Sequence, residues 1–376
     1  MSVVQGFAKG KFEPVRAAFE SNFASGADVG ASYCATVNGE TVVDLWGGFA
    51  DEARTRPWQK DTIVNVYSTT KTMTALTALL IADRGELDFD ASVAHYWPEF
   101  AANGKRDVKV SHLMSHSAGL CGWTEKIDLQ DLYDWEKATS LIAAQAPLWK
   151  PGTAPGYHAV TQGYLVGEVV RRITGRSLGT VFREEIAGPL GADFHIGLPA
   201  SEDARVADLI PPPANPLFNG TQTDLQKIAF NNPPIDPADT RTRAWRGAEI
   251  PAAGGTGNAR SVAEIHVLLA NGGMAKGKRI LSEAGCRKAL EPQIEGNDLI
   301  LGTPVKFGMG FGLPGEMIPL PNRNTIFWGG YGGSLVIIDM DARTTFAYAM
   351  NRMIGTTTGD MRAFALATAM WQAMAT

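Results

Sequence analysis

The chain has 376 residues, 45% hydrophobic and 19% charged, and carries a formal net charge of −5. These are the proportions of a soluble globular protein, not of a disordered or membrane-embedded one, and the length suits two domains or one domain with a large insertion. Acidic and basic residues are scattered along the chain, so no surface is built to attract a phosphate backbone and nucleic acid is excluded as an expected partner.

In chain order, Phe12 to Phe23 carries a helical pattern, followed by two β-rich runs, Ala31 to Val37 and Thr41 to Trp46. Asn38 and Gly39 between them are a two-residue hairpin signal. A helix is predicted to start near Ser68, with Met73, Leu76 and Leu80 on one face, and to stop at Gly85. From Leu87 to about Ile250 the pattern is one of short helices and Pro-rich loops, including a helix from Gln162 to Thr174 closed by Gly175. Helices near Val262 to Leu269 and Glu283 to Leu290 come next. Strands near Thr325 to Trp328, Ser334 to Asp339 and Thr344 to Met350 precede a final helix from about Asp360 to Met374. Strands at both ends and helices between them predict an α/β (α+β) fold. Residues 1–86 and 250–376 are expected to form the α/β domain and residues 87–249 a mostly helical one, with any functional site expected in the cleft between them.

The longest apolar runs, such as Ala75 to Ala82, are shorter than a membrane span, and the N-terminus has no export-signal pattern. The protein is therefore expected in the cytoplasm, and Cys34, Cys121 and Cys286 are expected as reduced, buried thiols. Neither a metal nor a cofactor is expected, and nothing in the sequence speaks to oligomeric state.

Ser68, Thr69, Thr70 and Lys71 form the one S-x-x-K in the chain. With Ser68 opening a helix, Lys71 lies one turn on and brings an amine toward the hydroxyl, the arrangement that turns a weak nucleophile into an active one. The pattern alone equally fits a helix N-cap followed by an exposed lysine. Tyr157, after the turn residues Pro151, Gly152 and Thr153, either projects into a cleft or packs in the core. Trp328, Gly329, Gly330 and Tyr331 end a predicted strand. Glycines there either let a backbone N–H approach a developing oxyanion or mark a bulge.

Several ordered blocks together resemble the serine β-lactamase and penicillin-binding protein superfamily, and within it the class C-like family VIII carboxylesterases. They are Val66 to Arg84, Val108 to Leu120, Pro151 to Leu178, Pro251 to Ala263, Phe307 to Leu313 and Phe327 to Arg352. The resemblance implies a β-lactamase-like fold, an antiparallel sheet flanked by helices with a helical insertion, and a serine carboxylesterase acting on small esters of short to medium acyl chain. It makes Ser68 the nucleophile, with Lys71 and Tyr157 as the general base and acid pair. The backbone N–H groups of Ser68 and Tyr331 become the oxyanion hole, and Trp328, Gly329, Gly330 and Ala159 line the substrate. Two departures matter. Ala159 stands where β-lactamases end their Y-x-N element, and Trp328 replaces the lysine of K-T-G, so an apolar wall replaces the groups that hold a β-lactam's amide and carboxylate. The alternatives are a β-lactamase or D-alanyl-peptide hydrolase, and a catalytically silent scaffold, which would be expected to have lost one of Ser68, Lys71 or Tyr157.

Three further patterns read as structural. Ser115 to Gly119 is half of a G-x-S-x-G elbow, with Ser117 read as a helix-terminus residue. His112 and His116 have zinc-pair spacing, but Leu113 stands where a catalytic Glu would be. Gly255, Thr256 and Gly257 read as a turn. Pocket shape is expected to depend on the loops at Cys121 to Trp135 and Pro211 to Arg246.

Overall fold

The computed structural model describes residues 4–212, 221–315 and 318–376, so residues 213–220 of the second pocket-shaping loop lie outside the described residues. The chain begins with strand β1 (Val4–Ala8), helix α1 (Glu13–Ala24) and the hairpin of β2 (Gly30–Val37) and β3 (Glu40–Gly48). Asn38 and Gly39 turn this hairpin with φ of 50° and 81°, the left-handed pair that such a tight turn requires. After β4 (Val64–Asn65) and a 3₁₀ turn at Tyr67–Thr69 comes α2 (Thr70–Asp83). The helical stretch that follows holds α3 (Val110–Met114) and α4 (Thr161–Thr174), then β5 (Phe194–His195). The chain then runs through β6 (Thr256–Gly257), α5 (Ala259–Ala270), a hairpin of β7 (Ile294–Asn297) and β8 (Pro304–Phe307), and strands β9 (Thr325–Gly329), β10 (Leu335–Asp339) and β11 (Thr344–Met350). It ends in α6 (Met361–Ala375).

The main sheet is antiparallel throughout, in the order β1-β3-β2-β11-β10-β9, so both chain ends supply it and β9 is the edge facing the middle of the sequence. Helices α1 and α6 pack together while α5 packs on β2, β10 and β11. Every residue of β9, β10 and β11 is buried, so these strands read as near-continuous apolar runs without a polar alternate face. Each fully buried Val, Ile, Leu or Phe side chain there contributes about 1.5–3 kcal/mol.

The short strands β4, β5, β7 and β8 were not among the sequence expectations, and two further strand features differ from them. β1 was not expected: Gly6 interrupts a five-residue run whose three middle residues are exposed. That glycine, at φ of 96°, is needed because a Cβ would sit 1.9 Å from the Asp44 carbonyl oxygen. The second is a correction: Thr256 and Gly257 do not form a turn but the central strand of a small sheet between β4 and β5. Two residues carry too little alternation to register as a strand. Gly255 just before it lets the chain press against the Thr70 hydroxyl and the Phe194 ring. All three cysteines are free and buried. Among the described residues no helix is long and apolar enough to cross a membrane.

Candidate active site

The strand pairing of β4 with β6 delivers the chain to Tyr67, whose φ of 43° puts a bulky residue in the left-handed region directly before Ser68. Such a conformation costs about 1–3 kcal/mol and persists only where its surroundings hold it. Here the next two side chains do so. Thr70 Oγ1 donates to the Tyr67 carbonyl at 2.5 Å and accepts from Gly255 N–H at 2.8 Å, while Thr69 Oγ1 meets Ser334 Oγ at 2.9 Å. Ser334 in turn donates to the Val66 carbonyl at 3.0 Å, fastening the start of β10 to the turn that carries Ser68.

One turn on, Lys71 is fully buried. Its Nζ lies 3.0 Å from Ser68 Oγ and donates to the carbonyls of Ala159 at 2.7 Å and Ala252 at 2.9 Å. Burial without a counter-charge pushes its pKa well below the ordinary lysine value. A neutral amine has two N–H donors and one lone pair. The two carbonyls take the donors, which leaves the lone pair for the Ser68 hydroxyl. The Ala252 carbonyl is held in place by α4, where Gly163 lets the helix approach until a Cβ would stand 2.4 Å from the Ala252 nitrogen.

Tyr157 closes the third side. Its hydroxyl donates to Ser68 Oγ at 2.5 Å, and its ring lies 4.9 Å from Lys71 Nζ. Burial, together with the Asp298 carboxylate, raises the phenol's pKa, against hydrogen bonding with Ser68 and Trp328, so the phenol keeps its proton. Behind it stand two neutral histidines. His158 Nε2 accepts from Leu120 N–H at 3.0 Å, which leaves Nδ1 to donate to the Gly156 carbonyl at 2.6 Å, and burial lowers its pKa to about 3. His116, lowered by the same cause, accepts at Nδ1 from His158 N–H at 3.1 Å and stacks on Trp328 with ring centres 5.4 Å apart.

The structure thus brings Ser68, Lys71 and Tyr157 together from two distant parts of the chain. Trp328, on β9, packs 6.2 Å from the Tyr157 ring and lines with it a cavity on the side of the phenol away from Ser68. Tyr331 follows at the edge of a cavity shared with Ser68, and Ala159 lines that cavity too while its carbonyl holds Lys71. Gly330 makes its close approach to the chain itself, since a Cβ would lie 2.1 Å from the Val66 carbonyl oxygen, and Gly329 likewise makes room for Thr358. The Tyr331 loop is pinned from behind by buried Arg362, which donates to the Gly332 carbonyl at 3.0 Å and pairs with Asp28 and Asp360. His112 and His116 do not converge: His112 Nδ1 accepts from the Lys109 backbone N–H. Ser117 is buried, with its hydroxyl 3.0 Å from Ser115.

Asp298 is the site residue that sequence reasoning missed. Its Oδ1 accepts from the backbone N–H groups of Tyr157 at 3.0 Å and of Ile300 and Leu301 at 2.8 Å, so one buried carboxylate oxygen fixes the backbone of Tyr157. Asp298→Ala would strand three backbone donors, of which those of Tyr157 and Ile300 are buried and cost about 1–3 kcal/mol each. We expect a clear fall in melting temperature and a loss of roughly 10²-fold in kcat from the displaced phenol. Asp298→Asn, which keeps the acceptor oxygen, should retain most activity, and equal losses in the two variants would refute this positioning role.

The sequence profile of the Beta-lactamase family matches residues 15–370. A crystal structure of a family VIII carboxylesterase superposes with a TM-score of 0.94 at 45% identity, covering 98% of this chain and 99% of that one. A penicillin-binding protein homolog from Caulobacter crescentus superposes with a TM-score of 0.93 at 39% identity, covering 98% and 99%. In sequence, Esterase/beta-lactamase LipL of Mycobacterium tuberculosis is 35% identical over 368 residues, spanning 93% of this chain and 83% of LipL.

Proposed function

This chain belongs to the beta-lactamase family and is a carboxylesterase of the family VIII type, and on that premise we propose that it hydrolyses neutral carboxylic esters through an acyl-enzyme on Ser68. The observation that carries the reading is Ser68 Oγ held between the buried Lys71 amine at 3.0 Å and the Tyr157 phenol at 2.5 Å. Lys71 takes the Ser68 proton as Oγ attacks the ester carbonyl. The Ser68 N–H, in the first turn of its 3₁₀ segment, and the Tyr331 N–H receive the developing oxyanion. Tyr157 gives its proton to the departing alkoxide and is reprotonated from Lys71. Water then enters, loses a proton along the same path and releases the acid. Acyl chains of short to medium length are expected to fit.

Selectivity for neutral esters follows from the aromatic wall beside Tyr157. Trp328 stacks on a neutral histidine and packs 5.5 Å from the Phe307 ring, and Lys306 at the adjoining cavity is paired with Glu295 at 3.3 Å. A β-lactam carboxylate buried against this indole loses hydration that no cation restores, at a cost of about 3 kcal/mol or more. A panel of nitrophenyl esters beside a chromogenic cephalosporin tests this. We expect nitrophenyl butyrate to exceed the cephalosporin by roughly 10²-fold or more in kcat/KM, and Trp328→Lys to narrow the gap chiefly by lowering ester turnover. Equal turnover of the two by the wild type would replace the esterase reading with that of a β-lactamase.

A further inference from the structure

Two cavities meet at Tyr157 and Thr357, and they differ greatly in size. The smaller, about 90 Å³, contains Ser68 and Tyr331 and is walled by Trp123, Phe230 and Ile235. The larger, about 600 Å³, lies beyond Tyr157 between β9 and the β7–β8 hairpin, against Leu301, Val305, Phe307, Leu313, Phe327 and Trp328. That volume is in the range that encloses a drug-sized molecule. Resting on the esterase reading above, we propose that the two cavities divide the ester at its scissile bond, so that the substrate class is a short acyl group joined to a bulky apolar alcohol.

The chemistry assigns the sides. In the tetrahedral intermediate the carbonyl carbon is bonded to Ser68 Oγ with its oxyanion toward the Tyr331 N–H, and both groups line the smaller cavity alone. Of the two groups that this carbon also bears, the acyl substituent needs no proton donor and is assigned to this cavity. The leaving oxygen must reach the proton of Tyr157, and the group attached to that oxygen passes into the space beyond the phenol, where the larger cavity opens. The wall of the smaller cavity is cross-tied and resists expansion. The Trp123 indole N–H donates to the Ala138 carbonyl at 2.9 Å, while Asn232 donates to the carbonyls of Trp123 and Glu125 at 2.7 Å and accepts from Ile127 N–H at 3.0 Å. The charges at the larger cavity, Lys306 and Glu295, are paired with each other, and aliphatic and aromatic side chains outnumber the polar ones, Asn297 and three threonines, which favours an apolar alcohol. This narrows the acyl preference to its short end.

The test uses two ester series on the purified protein. At constant nitrophenol, kcat/KM is expected to fall at least roughly tenfold from acetate to octanoate, as the chain outgrows its cavity. At constant acetyl, across primary alcohols of similar acidity, it is expected to rise at least roughly tenfold from methyl to 2-(2-naphthyl)ethyl acetate, as apolar area is buried. Ile235→Ala should raise the octanoate-to-acetate ratio, and Val305→Trp should lower the naphthylethyl-to-methyl ratio. Active-site titration with a serine-directed phosphonate corrects each variant for its folded fraction. Octanoate matching or exceeding acetate, or Val305→Trp altering the acyl series instead of the alcohol series, would overturn the division while ester hydrolysis at Ser68 stands. Absence of both ester turnover and phosphonate labelling at Ser68 would overturn the esterase reading and this inference with it.

Discussion

Ser68→Ala is expected to lower kcat/KM for nitrophenyl butyrate by roughly 10⁴-fold or more, because oxyanion donors and binding alone do not replace a covalent nucleophile. The fold should survive. The Ser68 side chain is small, and without it Lys71 still donates to the Ala159 and Ala252 carbonyls, so the melting transition should shift little. A phosphonate should add once to the wild type, at Ser68, and not at all to the variant. The rival serine, Ser117, is buried against Ser115, with no base shown at its hydroxyl. Labelling mapped to Ser117 would refute the nucleophile assignment outright.

The parts of this site legible in the sequence are those whose signal is local. Ser68 and Lys71 are three residues apart on one helical turn, and the Asn38-Gly39 turn sets the pairs Val37–Glu40 and Thr36–Thr41, beyond which a bulge at Ala35 and Thr36 shifts the register. Glycine at 175 stops α4 because the chain turns there with φ of 69°. The edge strand β1 and the two-residue strand β6 were not legible, since one is interrupted by a glycine and the other too short to alternate. The groups that hold the machinery in place were hidden for a different reason. Asp298 reaches Tyr157 across 141 positions of sequence, and Ser334 reaches Val66 across 268. Neither belongs to a short pattern, and each acts through a backbone group that every residue possesses. His116 was visible only as half of a metal-like spacing. Its place behind Trp328 follows from the left-handed φ of 58° after α3, which the sequence does not announce. The Trp328 and Ala159 departures, by contrast, were legible as lost charge and lost amide, and the structure adds that the Ala159 carbonyl still serves Lys71.

Lys71 and Tyr157 share a single proton path through Ser68 Oγ, and their losses should therefore not add. Lys71→Ala and Tyr157→Phe are each expected to cost roughly 10²-fold or more in kcat, and the double variant little more than the worse single one, because removing either end already stops the transfer. Losses that multiplied in full would refute the shared path. The pH profile separates the two roles. Lys71 acts in its neutral form, and burial lowers its pKa well below the ordinary value of about 10.4. Activity should therefore rise with pH as Lys71 loses its proton, and reach its plateau well below that value. Tyr157 acts in its protonated form, and burial raises its pKa above the ordinary value of about 10, so the plateau should persist through mildly alkaline pH. The histidines do not supply the acid limb in this account, since His158 lies near 3 and His116 is also shifted down. The limb should survive in Asp298→Asn and disappear in Lys71→Ala. An acid limb unchanged in Lys71→Ala would move the base to another group, and a falling limb between neutrality and the ordinary tyrosine value would show that the phenol titrates where its burial says it should not.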